Sequence, residues 1–299
     1  MVSSLLEHCI LCPRQCGADR AHGQTGYCGQ PAVITAARAS LHHWEEPCLS
    51  EGGGSGTVFF SGCTLRCIYC QNHNIALGRT GKQISVNRLA EIFLELQQKG
   101  ANNINLVTPT HFVPLIADAL VQAKKDGLHL PIVYNTSGYE KTTTLQLLDG
   151  LIDIYLPDCK YVSSELGLRY SNAPDYFDVT CKALQEMYRQ VGDPVFDASG
   201  LMQRGMIVRH LILPGSTEDS KKVVEYLYRT FGDHIFISLM NQYTPVLTHE
   251  YPELNRTLTD VEYDEVVDYA ISLGVENGFI QEGETCLESF IPDFNCEGI

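Results

Sequence analysis

The sequence predicts an α/β fold: a partial (β/α)6 TIM-like barrel with a small N-terminal cysteine-rich arm. Three observations carry that expectation. Past residue 56, strand-like apolar runs and helix-period segments alternate six times, the pattern of a parallel sheet with right-handed crossovers. The Gly-rich stretch Glu51–Gly56 (EGGGSG) marks a hinge or tight loop before the alternation begins. The residues ahead of it hold four grouped cysteines and no long periodic segment. The expected division is an arm over 1–50 and a core domain over 51–299.

The elements follow in order. Thr57–Phe60 (TVFF) reads as a buried strand. Ser85–Lys99 reads as a helix, with Leu89, Ile92, Phe93 and Leu96 at helical spacing and Gly100 to stop it. Asn103–Val107 is a strand and His111–Lys125 a helix. Pro131–Asn135 is a strand, followed by a short helix around Thr143–Leu148. Ile152–Leu156 is a strand, and Tyr176–Gln190 a helix. Met206–Leu213 is a strand ended by Pro214 and Gly215, and Glu218–Thr230 its helix. His234–Leu239 is the sixth strand; the last helix, Val261–Leu273, opens with a capping box in Thr259 and Glu262. Six units are too few to close an eight-stranded barrel but suit an open one, with chemistry at the C-terminal strand ends.

Composition narrows the class. The 299 residues carry a formal net charge of −15, which argues against a phosphate-backbone binder and makes nucleic acid an unfavoured partner. No apolar run reaches about 18 residues, so no membrane span is expected. The N-terminus, MVSSLLEHCILCPRQC, lacks a basic region and an apolar core, so a cytoplasmic location is expected. Twelve cysteines in a reducing compartment point to metal or chemistry rather than disulfides. Cys48, Cys159, Cys181, Cys286 and Cys296 are scattered and read as small buried apolar residues.

The decisive segment is Ser61–Asn74 (SGCTLRCIYCQNHN), directly after the first strand. Cys63, Cys67 and Cys70 have the spacing C-x3-C-x2-C, so one short loop offers three thiolates. An electron-transfer cluster normally takes four cysteines; three leave one iron open to bind and polarise a substrate. A zinc knuckle would favour C-x2-C pairs and a fourth ligand, for which only His73 is near.

This spacing, with the aromatic Tyr69 before the last cysteine, resembles the motif of the radical S-adenosylmethionine (radical SAM) superfamily. The resemblance implies a 4Fe–4S cluster whose open iron chelates S-adenosylmethionine (SAM). Reductive cleavage of SAM then gives a 5′-deoxyadenosyl radical, which removes hydrogen from a substrate. It also implies a reducing partner such as a flavodoxin or ferredoxin.

The strand ends supply the other candidates. Strand two ends in TPTH from Thr108, where the superfamily often has Gly-Gly-Glu; Thr108 either meets SAM through its carbonyl or hydroxyl or sits in a buried strand-end loop with no ligand role. Strand three ends in NTSGY, whose Asn135 and Ser137 suit the ribose or carboxylate, or simply build a turn. Strand four ends in Asp158-Cys159-Lys160, similar to the Asp-Leu-Lys of glycyl-radical-enzyme activases; Asp158 and Lys160 either face SAM or form a surface ion pair. Alternation puts Arg209 and His210 on opposite faces, so at most one of them points into the barrel, and the activases carry a similar Arg. At the sixth strand end Asn241 or Gln242 stands where the activases have a nucleotide-contacting His. His42, His43, Glu45 and Glu46 read as an exposed loop, or alternatively as part of a substrate face.

Cys9, Cys12, Cys16 and Cys28 (C-x2-C-x3-C-x11-C) form a second metal site, zinc or an Fe–S cluster, unless they are free thiols of a loose arm. CILCPRQCGADR, GYCG, Trp44–Pro47, NLVTPTHF, LMNQYTP and FIPDF together resemble the pyruvate formate-lyase activating enzyme-like family, in a variant with this cysteine-rich arm. That resemblance implies hydrogen abstraction from a substrate, a protein glycine among the options. The alternatives are a radical SAM enzyme for a small molecule or nucleobase, or a non-catalytic iron–sulfur electron carrier.

Overall fold

A computed structural model describes residues 2–281 and 292–299. Its strands are β1 (Ile34–His42), β2 (Ser55–Phe60), β3 (Lys82–Ile84), β4 (Ile104–Val107), β5 (Ile132–Thr136), β6 (Ile154–Pro157), β7 (Val195–Phe196), β8 (Met202–Leu211), β9 (Phe236–Met240) and β10 (Gly278–Ile280). The helices are α1 (Val2–Glu7), α2 (Pro47–Ser50), α3 (His73–Ala76), α4 (Val86–Gln98), α5 (Val113–Lys125), α6 (Thr142–Leu145), α7 (Ser164–Ser171), α8 (Tyr176–Val191), α9 (Thr217–Phe231) and α10 (Asp260–Leu273).

One sheet runs in the order β10-β9-β8-β6-β5-β4-β2-β1-β3, with β7 on β8. All six expected strands lie in it, paired in parallel, and β10 adds to β9 in the same sense. Among the described residues no ladder joins β10 to β3, so the barrel stays open.

The helices form where the pattern placed them. Ser85 caps α4 by accepting the Arg88 N–H, and Leu89, Ile92, Phe93 and Leu96 are buried along one face. The Thr259–Glu262 capping box opens α10. Outward strand residues such as Phe60, Leu106, Tyr134, Tyr155 and Val208 pack under these helices in the main core. Burial of each such side chain is worth about 1.5–3 kcal/mol.

The inner face packs differently. Val133, Ile154, Leu156 and Ile207 meet Cys48 and Leu49. His42 pairs with Ser55, the first residue of β2, so the chain between them lies at the N-terminal strand ends and fills the barrel floor. Ile34–His42 was expected to be part of a separate arm; it is a sheet strand, antiparallel to both β2 and β3. Its Ala, Ser and Arg residues dilute the alternation that marks a strand. The tail then covers its edge, with Cys296 N–H donating to Ala37 O and Ala39 N–H to Glu297 O. Cys48 and Cys159 are buried in the core as expected, while Cys181 and Cys296 are half-buried. Cys286, Phe290 and Ile291 lie outside the described residues.

After β5 the chain buries Glu140. Its Oε1 accepts from Thr110, Thr136 and Tyr134 hydroxyls. Burial outweighs these bonds and pushes its pKa from 4.5 up to about 7. The unfolded chain releases this proton near pH 4.5 and the folded chain near pH 7, so stability falls as pH rises through that window, by about 3 kcal/mol. Glu140→Gln removes the titration. The melting temperature of the variant is expected to hold between pH 5 and 8 better than that of the parent, read by thermal circular dichroism.

Candidate active site

β2 ends at Phe60 and delivers the chain into the triplet loop at the C-terminal edge of the sheet. Gly62, at φ +87°, and Arg66, at φ +57°, turn the loop back on itself. Cys63 Sγ accepts from the N–H groups of Leu65 and Arg66 at 3.4 and 3.5 Å. Cys67 Sγ accepts from Ser171 Oγ at 3.2 Å. The three sulfurs lie within electrostatic range of one another and of Lys160. Burial raises the Cys63 thiol and lifts Cys70 to about 12, so iron binding there must displace protons.

A cage of tyrosines surrounds this loop. Tyr69, Tyr139, Tyr161, Tyr170, Tyr176 and Tyr243 are buried together with Leu65. The Tyr69 hydroxyl bonds Tyr161 at 2.6 Å, and Tyr161 bonds Ser171 at 3.0 Å, so a hydrogen-bonded chain ends on Cys67 Sγ. The rings of Tyr170 and Tyr243 pack edge-on against Tyr69. Tyr69 is thus committed to the cage by its hydroxyl. The sequence reading missed the other five, which come from five different segments.

Beside the cage, the strand ends build one polar network. Lys160 Nζ bonds Asp158 Oδ2 at 2.7 Å. Arg209 reaches Asp158 Oδ1 at 3.3 Å, Asn135 Oδ1 at 2.6 Å and Glu45 Oε2 at 3.2 Å. Asn105 donates to the other Glu45 oxygen at 2.9 Å. Burial raises the Glu45 and Glu46 carboxyls. Burial also acts to raise Asp158, but Lys160 and Arg209 outweigh it and hold that carboxyl below its usual range. Burial disfavours the Lys160 charge, yet Asp158 and the nearby sulfurs raise its pKa overall.

Asp158 and Lys160 are therefore an interior pair, 19% and 12% exposed, not a surface bridge. Arg209 points inward, while His210 points out and bonds Cys159 O, as alternation requires. Glu45 and Glu46 were expected in an exposed loop. Glu45 instead rises from the barrel floor to pair with Arg209, and buried Glu46 bonds Ser238 within electrostatic reach of the same charge. His43 is exposed as expected, whereas His42 is the half-buried last residue of β1 rather than part of an exposed loop.

Thr108 follows β4 with φ +58°, a conformation rare for a β-branched residue. Its N–H donates to Asn135 O, which fixes the turn next to the network. Strain of this kind costs about 1–3 kcal/mol and marks functional positions. Thr108→Gly is expected to raise stability by about 1 kcal/mol, part of the strain relief being lost to backbone entropy. Urea unfolding midpoints measure the change; a midpoint equal to that of the parent would mean that the turn is unstrained. His111, in the same loop, is neutral: burial lowers its pKa to about 3, and it donates to Ser61 O at 2.7 Å. Ser137 lends its carbonyl to Tyr176. Asn241, whose N–H donates to Gln281 Oε1, and half-buried Gln242 sit after β9.

Three thiols on one loop, close to a lysine and walled by tyrosines, suit a cluster with one open iron. Residues 57–227 match the sequence model of the Radical SAM superfamily, more than half of the chain. The chain belongs to the radical SAM superfamily. It is accordingly an enzyme, of a family that uses a 4Fe–4S cluster and SAM. An uncharacterized protein of Methanocaldococcus jannaschii is 26% identical over 90% of this chain and 76% of its own length. The pyruvate formate-lyase-activating enzyme of Staphylococcus aureus is 20% identical over 63% of this chain and 74% of its own. Among solved structures, Streptococcus suis SuiB bound to the precursor peptide SuiA superposes with a TM-score of 0.52 at 14% identity, over 75% of this chain. This radical SAM chain spans about half of that protein, covering 47% of it. No helix among the described residues is long and apolar enough to cross a membrane.

Proposed function

We propose that Cys63, Cys67 and Cys70 hold the 4Fe–4S cluster, that the Asp158–Lys160–Arg209–Asn135 network faces SAM, and that the enzyme removes a hydrogen atom from a protein or peptide. When bound, the cluster supplies one electron to SAM, giving methionine and a 5′-deoxyadenosyl radical that takes the hydrogen. Lys160 then offers positive charge to the methionine carboxylate, and Asp158 accepts from an amino or hydroxyl group of SAM. The tyrosine cage keeps water from the loop. Thr108 and Asn241 or Gln242 stand at neighbouring strand ends as further SAM contacts.

The observation that carries the polypeptide reading is the open sheet: among the described residues no ladder closes β10 onto β3, so no strand pairing bars an extended chain there. The similarity to an activating enzyme and to a protein solved with a precursor peptide supports the same reading. The electron donor is a flavodoxin- or ferredoxin-class protein in a reducing cytoplasm.

The test uses reconstituted enzyme, SAM and dithionite with anaerobic extract from cells grown on α-deuterated amino acids. The macromolecular fraction is expected to deliver deuterium into 5′-deoxyadenosine. Deuterium arriving only from the small-molecule fraction would overturn the polypeptide reading.

A further inference from the structure

We propose that Cys9, Cys12, Cys16 and Cys28 hold a second iron–sulfur cluster, docked against the triplet loop, that passes electrons to the triplet site. Its relay role rests on the reading of the triplet given above; the site itself does not.

The four thiols gather in space. Cys12 is an electrostatic neighbour of Cys9 and Cys28, and Cys28 of Cys9 and Cys16. A methyl group at Gly26 would sit 2.7 Å from Cys16 Sγ, so glycine keeps the space beside the thiols open. Four thiolates complete either a tetrahedral zinc or a cubane, each thiolate of a cubane on a different iron. Only the cubane carries an electron, and the contact with the triplet loop is what favours it. Arg20 supplies a compensating charge: its guanidinium points at Cys9 Sγ at 3.6 Å and is locked by the carbonyls of Gln30, Pro31 and His111. It is buried, 1% exposed, with no carboxylate among these partners.

The arm then meets the triplet loop directly. Gly62 packs on the carbonyl of Cys28, so closely that a methyl group there would stand 2.6 Å from the oxygen. The path runs from Cys28 through its own carbonyl, across that contact, and along the backbone to Cys63. Arg14, two residues after Cys12, donates to Thr64 O at 2.9 Å and Leu65 O at 3.2 Å, inside the triplet loop. It also donates to the carbonyl of Ser171, whose hydroxyl holds Cys67 Sγ. Its guanidinium lies over the rings of Tyr27 and Tyr139. Cys9, Cys12 and Cys28 are buried and Cys16 is exposed, so one side of the site faces solvent and another the triplet. A knot that only folded the arm would need no such contact.

The electron count closes simply. A reduced flavin or iron–sulfur protein loses one electron to the arm cluster. That cluster passes it to the triplet cluster and returns to its starting state. No bond breaks and no proton moves in this step.

The first arm of the test is the full chain carrying Cys63→Ala, Cys67→Ala and Cys70→Ala, reconstituted anaerobically with iron and sulfide. It should retain about four irons, as one cubane requires, and give a reduced EPR signal indifferent to SAM. One zinc and no iron, or no metal at all, would overturn the second cluster whatever the triplet does. The second arm times reduction of the triplet cluster by a reduced flavodoxin in stopped flow. Arg14→Gln, which keeps every cysteine, should slow it on the order of tenfold with the iron content unchanged. Cys9→Ala/Cys12→Ala should slow it to the rate of direct reduction. Parental rates in both variants would overturn the relay, while SAM cleavage by parental enzyme with dithionite reports separately on the triplet.

Discussion

Replacing Cys63, Cys67 and Cys70 together with alanine is expected to abolish SAM cleavage, leaving no 5′-deoxyadenosine above background. Three protein ligands are already fewer than the four of an ordinary electron-transfer cluster. The thiols sit on one short loop, held by the Leu65 and Arg66 N–H groups and by Ser171. Their electrostatic neighbours include one another and Lys160. Loss of the three leaves His73 as the one nearby ligand type on the segment, and a single imidazole does not hold a cluster. Chromatography of the anaerobic reaction with dithionite reads the outcome. Turnover by the triple variant would place the chemistry elsewhere.

Arg209→Ala is expected to destabilise the fold by about 3–5 kcal/mol, because it removes the buried charge that faces Asp158, Glu45 and Glu46 and leaves Glu45 only the amide of Asn105. Arg209 meets Asp158, Glu45 and Asn135 at once, and its side chain is 16% exposed. Burial already raises Glu45 and Glu46, and the Arg209 charge is what opposes it. Without that charge these groups must take up protons or open the barrel floor to water. Arg209→Lys is expected to recover only part of the loss, since an ammonium lacks the planar fork that spans three acceptors. Urea unfolding midpoints of the apo-proteins measure both. A midpoint for Arg209→Ala equal to that of the parent would mean that the network is solvated and weak.

The triplet was legible because its information is local: three cysteines and an aromatic residue directly after an apolar strand. Asn135, Asp158, Lys160 and Arg209 were legible because parallel strands bring their C-terminal ends together. Glu45 was not, since its partner Arg209 is 164 residues away and nothing in the WEEP segment shows that the chain turns up into the barrel. β1 escaped because small residues hide its alternation, and with it the fact that the sheet begins before the Gly-rich stretch. The tyrosine cage escaped because its members are scattered and only packing joins them. Arg14 and Arg20 escaped for a related reason: an arginine that spends its donors on backbone carbonyls leaves no partner pattern in the sequence.

The claim that a three-cysteine cluster binds SAM through an open iron is met most directly by EPR of the reduced enzyme before and after SAM is added. The predicted result is a 4Fe–4S signal of which one component changes shape with SAM, followed by accumulation of 5′-deoxyadenosine. A signal that SAM leaves untouched, with no 5′-deoxyadenosine formed, would contradict the account.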